Sequence, residues 1–179
     1  YNESLNIVAS FERIKKNIEK ITENYEIIFV DDGSTDNSAE ILAKNAQREK
    51  NLKVLQFSRN FGHQSAMFAG IEYSSGDGIF LIDADLQDPP EKFQEMYEKW
   101  VAGYDVVYGV PISSGVRLGR RISTWMINRM YKSLFSVNHN RSAFSAVSRP
   151  IIDAVCENRG ANQFLDGLIA WHTNNITTV

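Results

Sequence analysis

The chain has 179 residues, enough for one well-cored domain, and its 43 % hydrophobic and 23 % charged residues are ordinary for a globular protein. A formal charge of −3 argues against a general nucleic-acid binder, which carries a basic excess. The single cysteine, Cys156, excludes an internal disulfide and suits a reducing compartment; its ordinary reading is a small buried hydrophobe on a helix. The longest apolar runs, residues 27–30 and 79–82, are strand-sized and end in acids, well short of the ~20 residues of a spanning helix. The text starts at Tyr1 and stops at Val179 with strand-like sequence still running, so the expectation is a fragment of a longer protein.

In chain order, Leu5, Ile7, Val8, Phe11, Ile14, Ile18 and Ile21 recur at helical spacing with Glu and Lys between them. This predicts an amphipathic first helix with Ser4 as its N-cap. Residues 25–30 read as a buried strand halted by Asp31-Asp32-Gly33-Ser34. Thr35-Asp36-Asn37-Ser38 supplies caps for a second helix reaching about Arg48. A strand over 52–57, a loop over 58–63 and a short helix over 64–73 follow. Gly76-Asp77-Gly78 turns the chain into a strand over 79–82, and Pro89-Pro90 opens a helix over 91–102 with Phe93, Met96, Tyr97 and Trp100 on one face. Residues 105–109 read as a fourth strand; a helix carrying Trp125 and Met130 and two short helices over 150–157 and 162–171 complete the chain.

Strands alternating with helices predict a largely parallel, doubly wound α/β sheet, in which ligands bind beyond the carboxyl ends of the strands. Both acidic clusters, Asp31-Asp32 and Asp83-Ala84-Asp85, fall at such ends. Two carboxylates one residue apart would repel until one took up a proton. A hard divalent cation removes that conflict and prefers oxygen ligands, with the Gln87 amide oxygen as a third donor. The plain alternative is an acidic capping turn ahead of Pro90. The Asp31-Asp32-Gly33-Ser34 stretch reads either as a capped strand-to-helix turn or as a nucleotide contact, with Asp32 accepting N–H or hydroxyl groups and Gly33 admitting close approach.

Tyr1-Asn2-Glu3, Val30-Asp31-Asp32-Gly33-Ser34-Thr35-Asp36, Ser58-Arg59-Asn60-Phe61-Gly62 and Asp83-Ala84-Asp85-Leu86-Gln87-Asp88-Pro89-Pro90-Glu91 occur in that order. Together they resemble the family 2 glycosyltransferases with a GT-A fold. The form of the last motif is similar to the polyprenyl-phosphate subgroup, that of dolichyl-phosphate mannose synthase and the bactoprenol glucosyltransferases. The resemblance is strong over residues 1–109 and looser through Trp171.

The resemblance implies one GT-A domain over residues 1–179, a Rossmann-like, mostly parallel sheet flanked by helices. It lacks a first strand, and a membrane part follows Val179. Tyr1, Glu3, Val30 and Asp32 are implied to line the nucleotide pocket. Asp83, Ala84, Asp85 and Gln87 are implied to hold the donor diphosphate, with Asp83, Asp85 and Gln87 catalytic and ligating Mg²⁺ or Mn²⁺. Arg59 and Asn60 are implied to lie beneath the sugar or to order the site. The implied reaction is inverting transfer of a hexose or N-acetylhexosamine from a UDP- or GDP-sugar to a polyprenyl (undecaprenyl) phosphate. Its implied place is the cytosolic face of a bacterial inner membrane, with no nucleic acid involved.

The acceptor side departs from the subgroup pattern. Pro111 stands where an arginine is usual, Ala143 and Ser145 where an acid and an arginine are usual, and Asp166 where a basic residue is usual. Arg117, Arg121 or Arg141, with Arg120, are candidates for the acceptor phosphate; their plain reading is a solvated basic helix start near a membrane surface. His63 is either a solvated loop histidine or a catalytic group. Transfer to a saccharide would need a carboxylate base, at Asp88 or Asp153. A non-catalytic scaffold that binds nucleotide-sugar or a partner is the alternative of another class. Phosphoryl transfer from Asp83 is disfavoured by Gln87, and a dehydrogenase by the lack of a G-x-G-x-x-G opening a helix.

Overall fold

The computed structural model describes residues 1–110, 144–158, 160 and 164–179. Its elements are α1 (Ile7–Ile18), β1 (Ile27–Asp31), α2 (Ser38–Ala46), β2 (Leu52–Gln56), α3 (His63–Glu72) and β3 (Gly78–Leu81). A 3-10 turn (Pro90–Lys92), α4 (Phe93–Val101), β4 (Val106–Tyr108), β5 (Ser145–Ser148), α5 (Arg149–Glu157), α6 (Leu165–His172) and β6 (Ile176–Thr178) follow. Among the described residues β1 pairs with β2 in parallel, and four strands pair in the order β3-β5-β4-β6. In the second sheet β4 and β6 are parallel, whereas β5 runs antiparallel to both β3 and β4.

The alternation of side chains along the strands explains why helices cover both faces. Phe80, Val107 and Ala146 point into a core closed by Ile7, Phe11 and Ile14 of α1, Leu42 of α2 and Phe93 and Met96 of α4. Their neighbours Ile79, Val106, Tyr108 and Val147 point into a second core closed by Phe68 and Ile71 of α3, Ile152 and Val155 of α5 and Leu165 and Ile169 of α6. A period of two in the strands thus splits into two helical layers, the doubly wound arrangement. Burial on both faces is why β4 and β5 carry no charged side chains; their polar groups are the Tyr108, Ser145 and Ser148 hydroxyls.

Local chemistry sets the element ends. Lys15 and Lys16 sit in the last turn of α1, where cations favour the helix dipole. Pro150 lies in the first turn of α5, where its missing N–H costs nothing. Gln64, at the start of α3, accepts the Leu165 N–H through its side chain (3.0 Å) and so ties α3 to the first turn of α6. The Arg149 guanidinium donates to Gly76 O (2.7 and 2.9 Å) and Ser74 Oγ (3.0 Å), fixing α5 to the turn that feeds β3.

Two expectations are corrected. The first helix starts at Ile7 with Asn6 in the cap position, not at Ser4. The Ser4 N–H instead donates to Asp36 Oδ2 (3.2 Å), and Glu3 O accepts from Asn6 and Ile7 in a tight turn that precedes the helix. Leu5 lies in that turn and is 95 % exposed, so it does not belong to the apolar stripe; Val8 is also exposed. The antiparallel strand β5 was not anticipated. Its text, Ser145-Ala146-Val147-Ser148, is short and ends in a residue that caps a helix.

Candidate active site

The site forms where β1 and β3 end. Along β1 the buried parity is Ile27, Phe29, Asp31, so a carboxylate occupies the last inward position of an apolar strand. Asp31 Oδ1 accepts the N–H of Ser34 (3.1 Å) and a short hydrogen bond from the Ser34 hydroxyl. Ser34 Oγ in turn accepts the Asn2 N–H (2.9 Å), and Asn2 Oδ1 accepts the Thr35 N–H (2.9 Å). The N-terminal segment is thereby laid across the turn. Asp36 completes it by accepting from Ser38 N (2.9 Å) and Ser4 N, and these hydrogen bonds, those of Ser38 foremost, hold its carboxyl down to about 2.

An open cleft of about 260 Å³ lies against this turn, with Tyr1, Glu3, Val30, Asp31, Ser34 and Ala84 on its wall. The structure therefore brings Tyr1, Glu3, Val30 and Ala84 together on one cleft, and Asp32 is not on its wall.

Asp32 is buried beside the cleft but turns elsewhere. Its two oxygens accept the N–H groups of Phe61 (2.7 Å) and Gly62 (2.9 Å), which holds the loop between β2 and α3 against the end of β1. Within that loop the Arg59 guanidinium stacks on the Phe61 ring (4.6 Å), and Phe61 meets Phe57 edge-on at 5.5 Å. Arg59 and Asn60 are exposed.

The second cluster follows β3. Asp83 is half-buried, and His63, at the first position of α3, approaches it at 3.9 Å (Nε2 to Oδ1). Burial raises the Asp83 carboxyl above the ordinary carboxylate range; nearby His63 opposes that shift and neighbouring Asp85 adds to it. Asp85 Oδ1 accepts the Gln87 N–H (3.0 Å) across Leu86, whose φ of 65° marks a tight reversal. Asp83 N–H points to Asp88 Oδ2 at 3.5 Å. Two carboxylates one residue apart, one of them partly desolvated, form an oxygen-donor pair that a divalent cation would relieve. Among the described residues no three His, Cys, Asp or Glu side chains gather as a ligand cluster, so the remaining ligands would come from Gln87, phosphate oxygens and water.

Sequence reasoning missed Arg13. From α1 it donates to both oxygens of Glu91 (2.8 and 2.7 Å) and to Leu86 O (3.4 Å), so it braces the loop that carries Asp85 and Gln87. The signal was a lone arginine on the polar face of α1, which spacing alone cannot distinguish from a solvated charge.

Ser145 pairs with Leu81 and Tyr108 and is buried in mid-sheet at the site end of β3. Asp153 sits on α5, which leaves the sheet at the opposite end, where Ser148 pairs with Gly78; its carboxylate lies 3.5 Å from Arg149. Asp166 lies in the first turn of α6. Pro111, Arg117, Arg120, Arg121, Arg141 and Ala143 lie outside the described residues.

The model of the family described as "Glycosyl transferase family 2" matches residues 1–160. The chain belongs to glycosyl transferase family 2. Its relatives include YkcC, an uncharacterized glycosyltransferase of Bacillus subtilis (strain 168), 39 % identical over 174 residues, 96 % of this chain and 54 % of the relative. A bactoprenol glucosyl transferase of Shigella phage SfV is 32 % identical over 174 residues, 96 % of this chain and 57 % of the relative. The chain spans about half the length of the curated relatives it matches. Among solved structures, glucosyl-3-phosphoglycerate synthase from Mycobacterium tuberculosis, in complex with Mn²⁺, UDP-glucose and glycerol 3-phosphate, aligns with a TM-score of 0.61 at 18 % identity, covering 97 % of this chain and 65 % of that one. A mannosyltransferase from Pyrobaculum calidifontis, in complex with GDP-mannose and Mn²⁺, aligns with a TM-score of 0.55 at 19 % identity, covering 86 % and 43 %. The fold is GT-A.

Proposed function

We propose that this family 2 glycosyltransferase transfers a hexose or N-acetylhexosamine, with inversion, from a UDP- or GDP-sugar to a polyprenyl phosphate at the cytosolic face of a membrane. The observation that supports the donor half is that Ala84, which lies between Asp83 and Asp85 just after β3, lines the cleft walled by Tyr1, Glu3 and Val30. The acceptor half is supported by the bactoprenol glucosyl transferases, which align along 96 % of the chain and extend well beyond its length. No helix among the described residues is long and apolar enough to cross a membrane, so the membrane partner of this reading is a segment outside them.

In this reading Tyr1, Glu3, Val30 and the Asp31-Asp32 turn hold the nucleoside, while Ala84 lets the chain lie close to the diphosphate. Asp83, Asp85 and Gln87 would hold Mg²⁺ or Mn²⁺, which when bound neutralises the departing nucleoside diphosphate. The acceptor oxygen attacks the anomeric carbon from the face opposite the bond to the diphosphate, that bond breaks, and both electrons leave with the nucleotide. A phosphate acceptor is already anionic at neutral pH, so no side chain has to remove a proton. This fits a site in which Asp153 lies at the far end of the sheet and Asp88 faces the Asp83 N–H. Arg117, Arg121 and Arg141 are the candidates for the acceptor phosphate. Catalysis then consists mostly of positioning and charge stabilisation.

Calorimetric titration of the full-length protein with UDP-glucose, UDP-N-acetylglucosamine and GDP-mannose, with and without Mn²⁺, tests the donor half. Metal-dependent binding of one donor that is lost in Asp85→Ala is the expected result. Failure of all three donors to bind under any metal condition would favour the non-catalytic scaffold instead.

A further inference from the structure

Leu86 holds a left-handed backbone, φ 65°, between Asp85 and Gln87. Among the described residues the other non-glycine residue with a positive φ is Asn2, a type that tolerates this conformation. A leucine keeps it only where the surroundings impose it. The loop supplies one constraint itself, the hydrogen bond from the Gln87 N–H to Asp85 Oδ1 (3.0 Å). The others come from Arg13 on α1, 73 residues away from Leu86 in sequence. Its guanidinium divides its three nitrogens: Nη1 donates to Leu86 O (3.4 Å), while Nε and Nη2 close a fork on the two Glu91 oxygens (2.8 and 2.7 Å). Leu86 and Glu91 bracket residues 87–90, so one side chain grips both ends of that segment, and Pro90 within it is buried. The support is firm, because Ile7, Phe11 and Ile14 seat α1 in the core and Lys15 ties it to Glu49 (2.8 Å). Arg13 and Glu91 are 36 % and 53 % exposed, and an ion pair so exposed adds little to overall stability. What the pair contributes is geometry.

We infer that Arg13 is a positioning residue for the metal loop: from α1 it holds the Leu86 carbonyl and Glu91, keeps Leu86 left-handed, and so fixes Asp85 and Gln87 as neighbouring oxygen donors. The inference rests on the reading of Asp83, Asp85 and Gln87 as metal ligands given above. Arg13 acts at one remove, since among the described residues its side chain donates to Leu86 and Glu91. Without that grip Leu86 relaxes toward ordinary backbone, and Gln87 turns away from Asp85. A lysine does not replace it. It keeps the charge but offers a point donor in place of the planar fork that spans Glu91 and Leu86. Groups that orient a metal's ligands in this way typically matter to metal affinity by about 10- to 100-fold.

Arg13→Lys tests this in the full-length protein, alone and combined with Leu86→Gly, which makes the left-handed backbone free of steric cost. The measurements are Mn²⁺ affinity in the presence of UDP, UDP affinity without metal, hydrogen exchange at the Gln87 amide, and urea unfolding. Arg13→Lys is expected to weaken Mn²⁺ binding by about 10-fold or more and to speed exchange at Gln87. Metal-free UDP binding and the unfolding midpoint should stay close to wild type, which a merely structural brace would not allow. In the Leu86→Gly background the same substitution should cost clearly less Mn²⁺ affinity, because the turn no longer has to be imposed. The assignment is overturned if Arg13→Lys leaves Mn²⁺ affinity unchanged, if metal-free UDP binding falls as far as Mn²⁺ binding, or if the loss is as large with Leu86→Gly as without it. A wild-type protein that binds UDP but no Mn²⁺ removes the metal reading itself, and this inference with it.

Discussion

Gly33 lies against the backbone of Arg59: a Cβ at Gly33 would stand 2.7 Å from Arg59 Cα, and its φ is +67°. The turn that ends β1 and the loop that ends β2 therefore touch main chain to main chain, beside the Asp32 clamp on Phe61 and Gly62. Both reasons for glycine, the left-handed backbone and the close approach, operate at this one position.

Gly33→Ala should therefore cost more than the about 1–2 kcal/mol of a left-handed alanine alone, because backbone cannot swing aside as a side-chain tip can. Urea unfolding measures the loss, and hydrogen exchange should show the Phe61 and Gly62 amides loosening first. Unchanged stability would mean that the two loops do not meet as described.

Asp36 gives a pH signature. Its carboxyl is held down to about 2 by hydrogen bonds from Ser38 and Ser4. The unfolded chain, with an Asp near the usual ~3.9, takes up its proton at a higher pH than the folded chain does. The contribution of Asp36 is thus complete above about pH 4 and disappears as pH falls through about 2. Comparing wild type with Asp36→Asn by urea unfolding, the stability gap should be full at pH 7, reduced near pH 3 and gone near pH 2.

At the far side of the site, a Cβ at Gly109 would lie 2.6 Å from Phe144 Cε1, and Phe144 is itself stacked on Phe93 at 5.9 Å. Gly109→Ala overpacks this contact and should destabilise by about 1–3 kcal/mol. Adding Phe144→Leu removes the ring edge, so the double variant should recover part of that loss in equilibrium unfolding. Additive losses would show that the two residues do not compete for the same space.

Much of this molecule was legible in its sequence because two periodicities carry it. The helical spacing of Phe11, Ile14 and Ile18 and the apolar runs at 27–30 and 79–82 located the first helix and two strands to within a few residues. The acidic clusters were legible for a different reason: carboxylates at strand ends have no packing role, so their presence there stands out. What escaped was non-local. Strand β5 owes its existence to pairing with β3 and β4 on either side, a relation across residues 78–148 that no local pattern announces. The division of labour between Asp31 and Asp32, and the brace from Arg13 to Glu91, depend likewise on which loop each side chain meets in space.

The acceptor is the central claim, and transfer to lipid tests it most directly. Full-length protein with Mn²⁺, radiolabelled sugar nucleotide and undecaprenyl phosphate in detergent should move label into the organic phase as a glycosyl-lipid phosphate. Asp85→Ala should lower that transfer by at least about 100-fold, the scale of losing one charge-stabilising group at a transition state. Donor binding with label passing to a saccharide, and none to the lipid phosphate, would contradict the account.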